Sequence, residues 1–245
     1  MEIHIDNTKW YDRLWASMVY FTRLPLGRIH QPPKACYKSV VEYWPLTGWL
    51  TGGIMAAIIY FGSAVIPFPI ALLLAIIVRV LLTGAQYEKG LAKGSQKRTY
   101  GVLALILYFC LLYLTLLSLH PFYAALGVLA GDAYCKLLAG QVIMFLPYAR
   151  TEGSAHDLPA FRKFSVPAGI SLFLQGILPM IPLLYIGVSD GLLRWEGLVF
   201  IPCLVMYFLY RLISSRLQGY TGDCCRAMFL LIELSFYLTL AAQLF

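Results

Sequence analysis

Seven apolar runs, each close to the length of a hydrocarbon layer and separated by short polar segments, leave this chain few folds to choose from. They are residues 44–62, 67–82, 100–119, 122–146, 166–186, 195–213 and 227–245. A bilayer core takes about 20 helical residues to cross, and lipid tolerates irregular backbone only where protein or a wet cavity satisfies it. The second run is short if it stops at Leu82, so six or seven spans are expected. With 60% hydrophobic and 13% charged residues and a mean hydropathy of +0.73, the chain has too little polar surface to coat a soluble globule. The reading is an all-α polytopic bundle forming one domain, with an interfacial segment at 1–43 and the helical bundle at 44–245.

Charge placement orients the bundle. Lys9, Arg13, Arg23, Arg28, Lys34 and Lys38 precede the first span; Lys89, Lys93, Lys97 and Arg98 follow the second. Arg150, Arg162 and Lys163 follow the fourth, and Arg211, Arg216 and Arg226 the sixth, whereas the alternate loops contain only Arg194. By the positive-inside rule the N-terminus and the basic loops are expected in the cytoplasm and the C-terminus outside. The net charge of +7 then reflects orientation and headgroup attraction, and no basic soluble domain exists to bind nucleic acid. The first forty residues are charged and aromatic, with no small-residue cleavage site after an apolar core, so no signal peptide is expected.

Six cysteines include no C-x-x-C pair, which argues against a zinc site or a disulfide frame. No Walker loop, dinucleotide-binding fingerprint or H-E-x-x-H occurs.

The stretch Arg216-Leu-Gln-Gly-Tyr-Thr-Gly-Asp-Cys-Cys-Arg226 carries chemistry of another kind. It reads as a glycine-punctuated polar turn between two spans. Gly219 and Gly222 permit positive φ and close approach of a ligand, and Asp223 is a hard oxygen donor suited to a divalent cation. A plain connection between helices accounts for it equally well. Asp132 and Lys136, four apart in the fourth span, share a helix face and can neutralise each other as a structural pair or as a site. Glu233, about two turns into the last span, needs a partner for function or for helix pairing. Arg79 is expected to snorkel toward the headgroups.

The segment 10–28 is amphipathic, with Leu14, Met18 and Phe21 spaced along one helical face, and Leu24-Pro25 is expected to end it. Arg23 is left at phosphate level, as an interfacial anchor or as a grip on a substrate phosphate.

Phe21-Thr-Arg-Leu-Pro25, Trp44-Pro-Leu-Thr-Gly48, Thr83-Gly-Ala85, Thr99-Tyr-Gly-Val102, Phe145-Leu-Pro-Tyr-Ala-Arg150 and Gln218-Gly-Tyr-Thr-Gly-Asp223 occur in the order found in cobalamin synthases. Over nearly its whole length the chain resembles that family, the adenosylcobinamide-GDP ribazoletransferases, and in wording its Bacteroides-like branch. The resemblance implies a magnesium-dependent inner-membrane enzyme. It would join adenosylcobinamide-GDP to α-ribazole or its 5'-phosphate with release of GMP, working in the bilayer and alongside other cobalamin-assembly enzymes. It further implies Asp223 and Glu88 as catalytic and magnesium-holding carboxylates, and Arg23, Arg216, Arg226, Lys89 and Lys93 as phosphate contacts.

The chain departs from the family pattern at its acidic loop. Where relatives read His-x-Asp-Gly-Leu-Ala-Asp, followed by a further acidic stretch, this chain reads Tyr87-Glu-Lys-Gly-Leu-Ala-Lys93 and then a short basic segment. Lys89 and Lys93 replace two aspartates and reverse the local charge. Arg226 replaces a small residue after Gly222-Asp223. Two alternatives to the transferase are therefore a corrinoid-binding scaffold of the same fold, catalytically impaired or engineered, and a small transporter using Asp132, Lys136 and Glu233.

Overall fold

The structure, a computed structural model, describes residues 9–93, 98–149 and 161–244. The basic loop residues Lys97 and Arg150, and the shortened segment at 94–97, lie outside the described residues. Among the described residues ten α-helices follow one another: α1 (Trp10–Phe21), α2 (Trp44–Gly62), α3 (Phe68–Thr83), α4 (Gln86–Lys93), α5 (Arg98–Leu117), α6 (Pro121–Phe145), α7 (Val166–Ile177), α8 (Met180–Ser189), α9 (Trp195–Leu217) and α10 (Gly222–Leu244). Two 3₁₀ segments, Pro25–Arg28 and Lys34–Tyr43, connect α1 to α2. Among the described residues five helices are long and apolar enough to cross a membrane, or up to seven if the bent pairs α3–α4 and α7–α8 each count as one span.

The 25-residue α6 is the axis of the bundle and is buried along most of its length. It packs most extensively on α2, and the sequence shows why. A Cβ at Gly48 would stand 2.8 Å from Ala133 Cα, and one at Gly52 2.9 Å from Val128 O. Glycines four apart thus let two backbones meet, the small-residue packing that membrane helices use in place of a hydrophobic drive. By contrast α5 and α9 turn Leu103, Ile106, Leu107, Leu204, Tyr207 and Phe208 outward. That amount of exposed apolar surface suits lipid contact.

Contacts between the helix ends and their connections sort onto two ends. At one end Arg162 N–H donates to Lys38 O and Ala149 N–H to Tyr220 O, and Lys93 meets Asp223. At the other, Tyr60 packs against Phe122, Tyr123 donates to Asp190, and Arg194 N–H donates to the Gln243 side chain. The alternation expected from the basic loops is the alternation of these ends.

Four local expectations need correction. First, α1 stops at Phe21, and Leu24-Pro25 instead begins the following 3₁₀ segment. Second, the polar stretch is mostly helix: α10 begins at Gly222, with Thr221 Oγ1 accepting from Cys224 N–H as its N-cap. Third, neither Gly219 nor Gly222 has a positive φ. Gln218 makes that turn at φ 52°, and Gly219 serves instead to pack against Pro147 O, 2.7 Å from where its Cβ would be. Fourth, Arg79 does not snorkel: at 4% exposed it pairs with Glu233, because a carboxylate at the same depth satisfies it without a path to water.

Candidate functional site

The site forms where α4 lies across the first turn of α10. Gly84 (φ 64°) and Ala85 (φ 54°) take consecutive left-handed conformations, closing α3 through Gly84 N–H to Leu81 O and Ala85 N–H to Val80 O. The chain turns by 84° into α4. Gly90 sets the depth of its docking, since a Cβ there would stand 2.6 Å from Asp223 O and 2.8 Å from Arg226 Cβ.

Asp223 sits between two cations. Lys93 Nζ lies 3.4 Å from Oδ2 and Arg226 Nη1 3.5 Å from Oδ1. Arg226 is held in turn by Tyr20, whose hydroxyl accepts at 3.3 Å, and by Gln86 Oε1 at 3.2 Å, with its guanidinium also over the Tyr20 ring. Gln86 Nε2 donates to Tyr20 O, tying α1 to α4. Burial pushes the Tyr20 phenol up to about 12, so its oxygen is a neutral acceptor at physiological pH. Lys89 is exposed on α4, and the Arg23 side chain lies over Gly84 at the bend, where its Cγ, Cδ and Nε fill the space of a missing Cβ. Arg216 is exposed near the end of α9 beside Arg211, and no contact joins it to Asp223.

Glu88 faces the other way. It is 6% exposed, and its Oε2 has no hydrogen-bond partner among the described residues. A magnesium ion of the kind the resemblance implies needs several oxygens converging at about 2 Å. Among the described residues no group of three His, Cys, Asp or Glu side chains converges, and both Asp223 oxygens already face fixed positive charge. These neighbours do not fit a divalent cation.

Beneath the rim lies a buried polar core. Lys136 Nζ is 2.7 Å from Asp132 Oδ1 and donates to Thr51 Oγ1 at 3.0 Å, while Thr51 Oγ1 also meets Asp132 Oδ2. Arg79 Nη2 donates to Glu233 Oε2 at 2.6 Å, and Glu233 also accepts from Tyr108 and Tyr237. The Phe229 ring lies between the two cations, 5.2 Å from Lys136 Nζ and 5.6 Å from Arg79 Cζ. Tyr87 covers Lys136 with its ring and accepts from Trp44 Nε1.

Sequence reasoning names Asp223, Lys93 and Arg226, which the structure brings together, and Asp132 and Lys136, which pair at their i,i+4 spacing. It misses Tyr20, Gln86, Thr51, Tyr108 and Tyr237, whose spacing matches that of ordinary buried residues. The i,i+4 spacing of Glu233 and Tyr237 is the one signal that was present.

A family model described as Cobalamin-5-phosphate synthase matches residues 13–92 and 93–241. Curated proteins named Adenosylcobinamide-GDP ribazoletransferase are similar to the chain over most of both lengths. The one from Shewanella woodyi is 27% identical over 91% of this chain and 93% of its own. That from Leptospira interrogans is 26% identical over 93% and 94%, and that from Vibrio parahaemolyticus 28% over 91% and 89%. No solved structure matches.

Proposed function

Because the chain belongs to the cobalamin-5-phosphate synthase family, we propose that it joins the cobinamide phosphate of adenosylcobinamide-GDP to α-ribazole or its 5'-phosphate in the cytoplasmic leaflet of a bacterial inner membrane. In that transfer a ribazole hydroxyl attacks the cobinamide-linked phosphorus, the bond from that phosphorus to the bridging oxygen of GMP breaks, and the hydroxyl proton is lost. Negative charge accumulates on the phosphoryl oxygens and on the departing GMP. The rim of α4 and α10 supplies positive charge for both: Lys93 and Arg226 around Asp223, with Lys89 one turn back along α4 and Arg23 at the bend before it. A bundle with lipid-facing helices offers the bulky, amphipathic corrinoid a setting beside that rim.

The observation that carries the reading is the end-to-end similarity, which includes both segments that build the rim, residues 83–93 and 218–226. A second reading is favoured by Lys93 itself. A lysine paired with Asp223 suits a protein that binds the corrinoid nucleotide and does not transfer it.

Growth of a cell lacking its own cobalamin synthase, on medium where growth requires cobalamin made from cobinamide, tests the two. Rescue by the wild-type chain establishes transfer. Failure of wild type, with rescue by a variant carrying Lys89→Asp, Lys93→Asp and a restored acidic segment after residue 93, establishes the binding reading. Failure of both overturns the transferase.

A further inference from the structure

The rim that the family reading makes a phosphate site has the wrong sign for a metal cradle and the right sign to act without one. We infer that this chain grips a diphosphate directly through side-chain cations, with Lys93 and Arg226 standing where a divalent ion would stand, and that this binding needs no metal. The inference rests on the reading above for the class of ligand, and on this chain's own residues for how the ligand is held.

Three observations support it. Both oxygens of Asp223 are covered, at 3.4 Å by an ammonium and at 3.5 Å by a guanidinium. A metal approaching to about 2 Å would have to displace both. These distances are long for charge-assisted pairs, which close to about 2.7–2.9 Å when optimal, so neither cation is saturated by its partner. Lys93 is 68% exposed and retains protons for an incoming oxygen. Arg226 is different in kind: 12% exposed, it is fixed by Tyr20, Gln86 and Asp223 and is therefore preorganised. Finally, Glu88, the carboxylate of α4, is 6% exposed and faces inward, away from the exposed side of the helix that carries Lys89 and Lys93. Counting Arg23, Lys89, Lys93 and Arg226 against Asp223 leaves a clear positive excess.

A diphosphate fits this arrangement better than a monophosphate. One phosphoryl group can meet Lys93 and the forked face of Arg226 while the second lies along α4 toward Lys89 or the bend that carries Arg23. An ammonium acts as a point charge and a guanidinium as a planar fork, so the pair grips two adjacent phosphoryl groups in different ways.

The test is calorimetric titration of the full chain in detergent with inorganic pyrophosphate, in EDTA and again with magnesium in excess. The expected result is binding in EDTA at least as tight as with magnesium. It should weaken about tenfold for Lys93→Gln and for Arg226→Gln and return toward wild type for Lys93→Arg. Retention-volume and melting profiles of each variant, expected unchanged for the exposed Lys93, separate lost binding from lost folding. Binding seen only with magnesium, no binding in either condition, or binding in EDTA that ignores both substitutions overturns the inference. The growth assay gives an independent answer. Metal-free binding without rescue keeps this inference and removes the transferase, whereas rescue with strictly magnesium-dependent binding does the reverse.

Discussion

Arg79 of α3 donates to Glu233 of α10 across 2.6 Å, 154 residues apart in sequence, with side-chain exposures of 4% and 0%. This pair joins the helix that leads into the α4 bend to the helix whose first turn carries Asp223, so it positions both halves of the rim from below. Tyr108 of α5 and Tyr237 donate to the same carboxylate. Breaking a buried pair from one side leaves an uncompensated charge and costs about 3–5 kcal/mol, whereas replacing both partners with apolar residues is often close to neutral. Glu233→Leu and Arg79→Met are each expected to lower the unfolding free energy in detergent by that amount. The double variant should lose distinctly less than the sum of the two. Additive losses in a double-mutant cycle would mean the pair contributes nothing as a pair.

The fold was legible because its strongest signals are local. Span length, the basic loops and the i,i+4 spacing of Asp132 and Lys136 depend on nothing remote. What could not be read is set by tertiary approach. Arg79 looks like a snorkelling residue until α10 places Glu233 at its depth, and Gly219 looks like a positive-φ residue until Gln218 takes that conformation. The rim was half legible for the same reason: the charges of Lys93, Asp223 and Arg226 are in the sequence, but Gly90, which lets α4 lie against α10, is an unremarked glycine in a helix until the contact is seen.

Asp223 and Lys93 form a pair whose lysine is largely in solvent, and such pairs are worth about 1 kcal/mol or less. Asp223→Asn is therefore expected to move the melting temperature little. Its functional effect should be larger, because the amide leaves Lys93 and Arg226 without their counter-charge and replaces one of the two acceptor oxygens they face with a donor. Pyrophosphate affinity is expected to change several-fold while the fold is retained. A large loss of stability with unchanged ligand affinity would make Asp223 a structural residue.

Tyr20 and Tyr220 give the stability a pH dependence with a definite sign. Both lie outside the spans, and burial raises each phenol from 10.0 to about 12. Between those values the unfolded chain has released protons that the folded chain still holds, so the unfolding free energy falls as pH rises. Stability from these groups is present in full below pH 10 and lost toward pH 12. Chemical unfolding followed from pH 8 to 11.5 should show a falling midpoint above pH 10, with a shallower fall for Tyr20→Phe and for Tyr220→Phe. At pH 8 each phenylalanine variant should cost about 1 kcal/mol for its hydroxyl bonds, which for Tyr220 run to the Phe161 backbone.

Gly90 gives the most direct test of how the rim is assembled. The nearest atom to a Cβ at this position is a backbone oxygen, Asp223 O at 2.6 Å, followed by Arg226 Cβ at 2.8 Å. Backbone cannot rotate aside as a side chain can, so even alanine must push α4 outward. In an exposed helix Gly→Ala stabilises by about 1 kcal/mol through backbone entropy, and here the clash opposes that gain. Gly90→Ala is expected to be neutral to destabilising and Gly90→Val distinctly destabilising, with β-branching adding to the misfit. Displacement of α4 carries Lys89 and Lys93 away from Asp223, so metal-free pyrophosphate binding should weaken more than the melting temperature falls. A cysteine at position 93 should likewise label faster with a water-soluble maleimide when Gly90 is replaced by valine. Unchanged labelling together with a stabilising alanine would show that α4 is not held against α10 in the way that Gly90, Asp223 and Arg226 indicate.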